Sequence, residues 1–265
     1  MNTLDLKSLS DDDLLDQGLT CQLTGNFQGA LEAFTELIRR RPTEETAFLQ
    51  LSQTLIKLGK YEKALPFLDK GLSLHPESKR LHAIKGILLY RMGQLQGAER
   101  ELKKAHELNP EEVDVLVALS MVYIQTHREP LATTFLRAAL DLEPNHGLAC
   151  HLLGTVLLKL DQPEEAMQML SKAIESFEAV TAVSEEYVDG LFCAGSAMLM
   201  VGKTLEGIER LERAVQLLDE KQQGVTHLAQ FFPVDDLYDA LAAAYLKCQK
   251  TEKAKEIAFK KRRED

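Results

Sequence analysis

Pro42, Pro76, Pro110 and Pro144 stand 34 residues apart, which puts four of the chain's eight prolines on one period. Proline has no amide proton and pushes the residue before it out of the α region. Each of the four is expected to stop a helix. In "HELNPEEVDVLVAL" a helical spacing resumes at once through Val113, Leu116 and Val117. A chain that repeats such a stop at a fixed interval cannot be one long amphipathic rod. It must be built from short units that stack.

Other residues keep the same period. Ala30, Ala64, Ala98 and Ala132 lie twelve residues before the prolines. Gly25, Gly59 and Gly93 lie seventeen before, with His127 in the fourth copy. Gly18, Ser52, Gly86 and Ser120 lie twenty-four before. The glycine can take the left-handed conformation that closes a helix. The small residue and the alanine let two antiparallel helices approach closely. Each unit therefore reads as a helix pair whose apolar face is covered only by its neighbours. The frame gives a lead over 1–10, five contiguous 34-residue units over 11–180 and an insertion at 181–187. A sixth unit follows over 188–221, with Gly207 where alanine is expected. An apolar insertion at 222–234 then leads to a seventh, truncated unit over 235–265.

These residues resemble the tetratricopeptide repeat family, whose 34-residue unit carries the same small–Gly–Ala–Pro pattern, though no unit here has a tryptophan. The resemblance implies an all-α fold, a right-handed superhelical solenoid of about seven helix-turn-helix repeats. It also implies a concave groove lined by the first helix of each unit, at its second, fifth, sixth, ninth and twelfth positions. The groove residues so implied include Leu15, Leu19, Leu49, Ile56, Ile84, Ile87, Tyr90, Val117, Met121, Ile124 and Leu152. Leu158, Phe192, Leu199 and Met200 continue the apolar lining, and Gln53, Lys57, Arg80 and Arg91 supply polar rims. Tight stacking could instead bury many of these as core. An exposed apolar trough of that extent marks a binding surface. It suits an amphipathic helix or extended peptide, read through anchors at helical spacing. The Lys/Asn clamp with which some members hold a chaperone's C-terminal carboxylate is missing in every register.

No catalytic constellation, P-loop, GxGxxG or GxSxG occurs, so the chain is expected to be non-enzymatic and to need no cofactor. His146, Cys150 and His151 are close in sequence, but no second cluster completes a metal site. Glu111–Asp114 spell the tetrapeptide that heat-shock chaperones carry at their C-termini; here it is internal and reads as an acidic helix start. A formal charge of −10 argues against nucleic-acid binding. No run approaches the roughly 18 apolar residues of a membrane span. Cys21, Cys150, Cys193 and Cys248 form no close pair and are expected to be free thiols. With an acidic N-terminus in place of a signal sequence, the expected location is cytoplasmic.

The expected function is that of a scaffold or adaptor binding a segment of another protein. The alternative is a dedicated chaperone that shields apolar segments of a client, resembling the type III secretion chaperones built from these repeats. Self-association through the terminal repeats is left open. Ser10 is expected to cap the first helix, with Asp13 three residues on. The apolar 222–234 segment is expected to pack over the end of the array, or else to fold back into the groove. The basic C-terminal stretch reads as a solvating last helix.

Overall fold

The structure is a computed structural model and describes Leu6 and residues 8–183, 188–221 and 234–261. Among the described residues there are fourteen α-helices and no strand. They are α1 (Asp11–Leu23), α2 (Phe27–Arg40), α3 (Glu45–Lys57), α4 (Tyr61–Leu74), α5 (Lys79–Arg91), α6 (Leu95–Leu108) and α7 (Val113–Gln125). There follow α8 (Glu129–Leu142), α9 (Gly147–Lys159), α10 (Pro163–Val183), α11 (Val188–Met200), α12 (Thr204–Lys221), α13 (Val234–Lys247) and α14 (Thr251–Lys261). They divide into two compact units, one ending at Val122 and the other starting at Tyr123, with the boundary inside α7. Residues 181–183, assigned by sequence to an insertion, continue α10, and Val234 opens α13. The remainder of both expected insertions, 184–187 and 222–233, lies outside the described residues.

The helix boundaries follow from local chemistry. The Asp13 amide donates to Ser10 Oγ at 3.1 Å, and the Ser10 amide donates to the Asp13 carboxylate at 3.3 Å. This is the capping box expected at the start of α1. Ser78 caps α5 through the Leu81 amide and also donates to Glu45 Oε1 at 2.6 Å, which joins two successive pairs. His146, at the end of the turn after Pro144, caps α9: its Nδ1 accepts from the Ala149 amide at 3.1 Å.

The tight turn inside each pair needs one residue at positive φ, as at Gly25 (φ 74°) and Gly202 (φ 87°). Where the sequence has no glycine the turn is kept: His127, Asp161 and Gln249 stand at φ 54°, 57° and 57°. A residue with a Cβ is strained there by about 1–2 kcal/mol, partly offset because glycine loses more entropy on folding. Gln249→Gly is therefore expected to stabilise the protein by about 0.5–1 kcal/mol. The check is a higher urea midpoint at unchanged slope, and a lower midpoint would contradict it.

Within the first unit the alanines of the frame, Ala30, Ala64 and Ala98, are fully buried, and Phe34, Phe48, Leu51, Leu68, Leu81 and Leu88 pack around the helix contacts. In the second, Leu170 and Ile174 of α10 pack against Ala197 and Met198 of α11. The departure at Gly207 has a steric reason. A Cβ there would fall 2.8 Å from the Gly195 carbonyl oxygen, closer than a real Cβ stands to its neighbours. In the α11–α12 pair the backbones meet more closely than an alanine allows.

One buried ionic network crosses three helices of the first unit. Glu101, 8% exposed, accepts from Lys85 Nζ at 2.9 Å and faces His82 Nδ1 at 2.7 Å. Lys85 also reaches Asp69 at 3.0 Å, and His82 Nε2 lies 2.9 Å from the Pro76 carbonyl. Burial works against the Glu101 charge, but the hydrogen bonds from Lys85 and His82 outweigh it and hold the carboxyl below its usual range.

Candidate protein-binding surface

The positions implied by the repeat frame lie on the first helix of each pair, and packing sorts them into two groups. In the first unit Leu49, Ile56, Val117 and Met121 are buried, between 1% and 8% exposed. Leu49 and Ile56 belong to the core cluster there. Leu15 and Leu19 on α1, and Ile84, Ile87 and Tyr90 on α5, are only half-buried. Gln53 and Arg91 are half-buried beside them, and Arg80 is exposed. The twelfth position of the first pair is polar and already engaged: Gln22 Nε2 donates to Thr54 Oγ1 at 2.6 Å. The reachable apolar surface of this unit is thus carried mainly by α1 and α5.

In the second unit Ile124 is half-buried and Leu152 is 7% exposed. The first helices α9, α11 and α13 enclose an open cavity of about 640 Å³. Its walls include Phe192, Leu199, Met200 and three alanines of α13, Ala240, Ala243 and Ala244. Polar groups sit among them: His151, Thr155, Ser196, Asp236 and Lys247. Burial pushes the His151 imidazole down to about 4, so it is neutral at pH 7. Thr155 Oγ1 lies 3.9 Å from Met200 Sδ. Phe192, Leu199 and Met200 are among the residues expected from the sequence, whereas the polar residues and the α13 alanines are not. The frame itself could have found them, because Thr155, Ser196 and Ala243 share one position, as do Met200 and Lys247.

The thiols nearby are not primed for chemistry. Burial raises Cys150 against a weaker pull from Lys172, and burial together with Asp189 raises Cys193 well above its ordinary value. Among the described residues no three His, Cys, Asp or Glu side chains converge as a metal site would require. No helix among them is long and apolar enough to cross a membrane.

Tetratricopeptide repeat family models match residues 24–79 and 148–179, and the model for the N-terminal repeats region of Psidin matches 53–156. The chain belongs to the tetratricopeptide repeat family. Among curated proteins it is 24% identical over 206 residues to the repeat-containing protein YpiA of Bacillus subtilis, covering 76% of this chain and 46% of YpiA. It is 34% identical over 120 residues to the mitochondrial ALBINO3-like protein 3 of Arabidopsis thaliana, covering 44% of this chain and 21% of that protein. The chain thus spans less than half the length of either relative. Among solved structures, the repeat protein TTC0263 of Thermus thermophilus superposes with a TM-score of 0.58 at 23% identity, covering 72% of this chain and all of the other. Folds of this family are protein-interaction scaffolds, and the family is generally non-enzymatic.

Proposed function

We propose that the protein is an adaptor that binds a segment of another protein, an amphipathic helix or extended peptide, on the face carried by the first helices of its repeats. The observation that supports this most is the half-buried aliphatic set on α1 and α5, Leu15, Leu19, Ile84 and Ile87, bordered by Gln53, Arg80 and Arg91. Half-buried aliphatics at helical spacing can anchor a partner helix, while polar neighbours set its direction. A reducing compartment, and with it a cytoplasmic location, agrees with the free thiols of Cys21, Cys150, Cys193 and Cys248.

Burial decides which substitutions test this. A carboxylate at Met121, 7% exposed, would enter the core and disrupt the fold, so it cannot report on binding. Ile84→Glu with Ile87→Glu places the charges on the half-buried face instead. Proteins captured from native lysate by the wild type are expected to be lost with this double variant, with circular dichroism unchanged. A lowered recovery of about 100-fold corresponds to removing two anchors of about 1.4 kcal/mol each. Equal capture would refute binding on this face. A captured protein that aggregates when purified alone would mark the chain as a chaperone instead of an adaptor.

A further inference from the structure

The cavity of the second unit differs from the half-buried face of the first in carrying an acid, Asp236, that forms no ion pair among the described residues. Asp236, in the first turn of α13, stands beside Asp235 and Asp239. Lys261 Nζ is taken up by both Asp239 oxygens at 2.8 Å. Although Asp236 is exposed, partial desolvation at the cavity wall, then the Asp239 and Asp235 charges, push its carboxyl up, against a weaker pull from Lys261. A positive charge brought from outside would relieve that crowding. Ser196 is a second, independent sign: it lines the same cavity, is 7% exposed, and its Oγ has no hydrogen-bond partner among the described residues. Buried hydroxyls normally have one. The cavity's volume lies in the range of ligand pockets, about 300–1,000 Å³, and exceeds what one side chain fills. Several apolar groups on one helical face would occupy it.

We propose that this cavity anchors a basic amphipathic segment of a partner protein, with apolar side chains seated among Phe192, Leu199, Met200 and Ala243 and a lysine or arginine laid against Asp236. Lys247 lies eleven residues along α13 from Asp236, about 16 Å at the helical rise. It favours an acidic residue at the other end of the segment, and so fixes its direction. This deepens the partner-binding reading above and rests on it, since it needs a partner segment to bind the first helices at all.

The test is selection of displayed peptides on the intact chain, from a library with apolar residues at i, i+3, i+4 and i+7 and all other positions random. Selected peptides are expected to carry lysine or arginine beside the apolar anchors. Their affinity should fall about tenfold or more with Ala243→Trp, which fills the cavity, and with Asp236→Lys. Both residues are exposed, so both variants should keep the wild-type circular dichroism. Exchanging the selected lysine for glutamate should restore binding to Asp236→Lys. Selected peptides with no basic preference, or retained in full by Ala243→Trp, overturn the proposal. Peptides lost with Ile84→Glu and Ile87→Glu but kept by Ala243→Trp overturn the cavity and leave the general reading standing. If no peptide is selected, both fall.

Discussion

Replacing Glu101 with leucine is expected to destabilise the first unit by about 3 kcal/mol at neutral pH. Removing one partner of a buried charge cluster leaves the others desolvated and unmatched, at about 3–5 kcal/mol. The lower end applies here, because Lys85 keeps Asp69 and His82 keeps the Pro76 carbonyl. The pH dependence should change as well. The Glu101 carboxyl is held below its ordinary value of 4.5 in the folded protein, so the folded state binds fewer protons there than the unfolded chain. Its contribution is complete above about pH 4.5 and is lost as pH falls below that toward the folded value. Urea unfolding at pH 7 and below pH 4 should show wild type and Glu101→Leu converging in acid. A constant gap between them at both pH values would remove Glu101 as the source of the acid sensitivity.

The parts of this molecule that are legible in the sequence are those governed by backbone geometry. Pro42, Pro76 and Ser10 act on the backbone of their own segment at the period's helix ends, so they could be interpreted without knowing their neighbours, whereas Pro66 is carried inside α4 and stops nothing. The left-handed turn was legible at Gly25, Gly59 and Gly93. The same turn at His127, Asp161 and Gln249 was marked only by the place of these residues in the frame, because stacking imposes the conformation on side chains that do not prefer it. Exposure was less legible. Leu15 and Leu49 share one frame position, yet one is half-buried and the other 1% exposed, because the cover over that position differs from pair to pair. The network of Asp69, Lys85 and Glu101 left no trace in the pattern. It depends on three side chains from three helices meeting, and each alone looks like a solvated charge. The α13 side of the cavity escaped because it is lined by Ala240, Ala243 and Ala244, and a search for large aliphatics passes over the small residues that leave the space open.

Phe34→Ala is expected to cost about 4 kcal/mol, the largest effect of any single change considered. The ring is fully buried and lies directly over Gly18: a Cβ built at Gly18 would fall 2.3 Å from Phe34 Cε1. The missing side chain on α1 is thus the seat for the ring on α2, and neither residue can change alone. Gly18→Leu in the wild type must expel the ring, at about 1–3 kcal/mol for overpacking, less the roughly 0.8 kcal/mol gained by replacing a helical glycine. With Phe34 already reduced to alanine, the same leucine enters the space the ring left. The double variant should therefore be more stable than Phe34→Ala alone, and the two changes should couple by about 1–3 kcal/mol. A double-mutant cycle of urea midpoints measures this. Additive effects would show that Gly18 is small for some reason other than the ring. A strong coupling would explain the small residue of the repeat as one half of a pair, matched to a large side chain sixteen residues on. Leu102 over Gly86 and Leu170 over Gly154 stand in the same relation, where a built Cβ would come within 2.5 Å and 2.7 Å of the leucine.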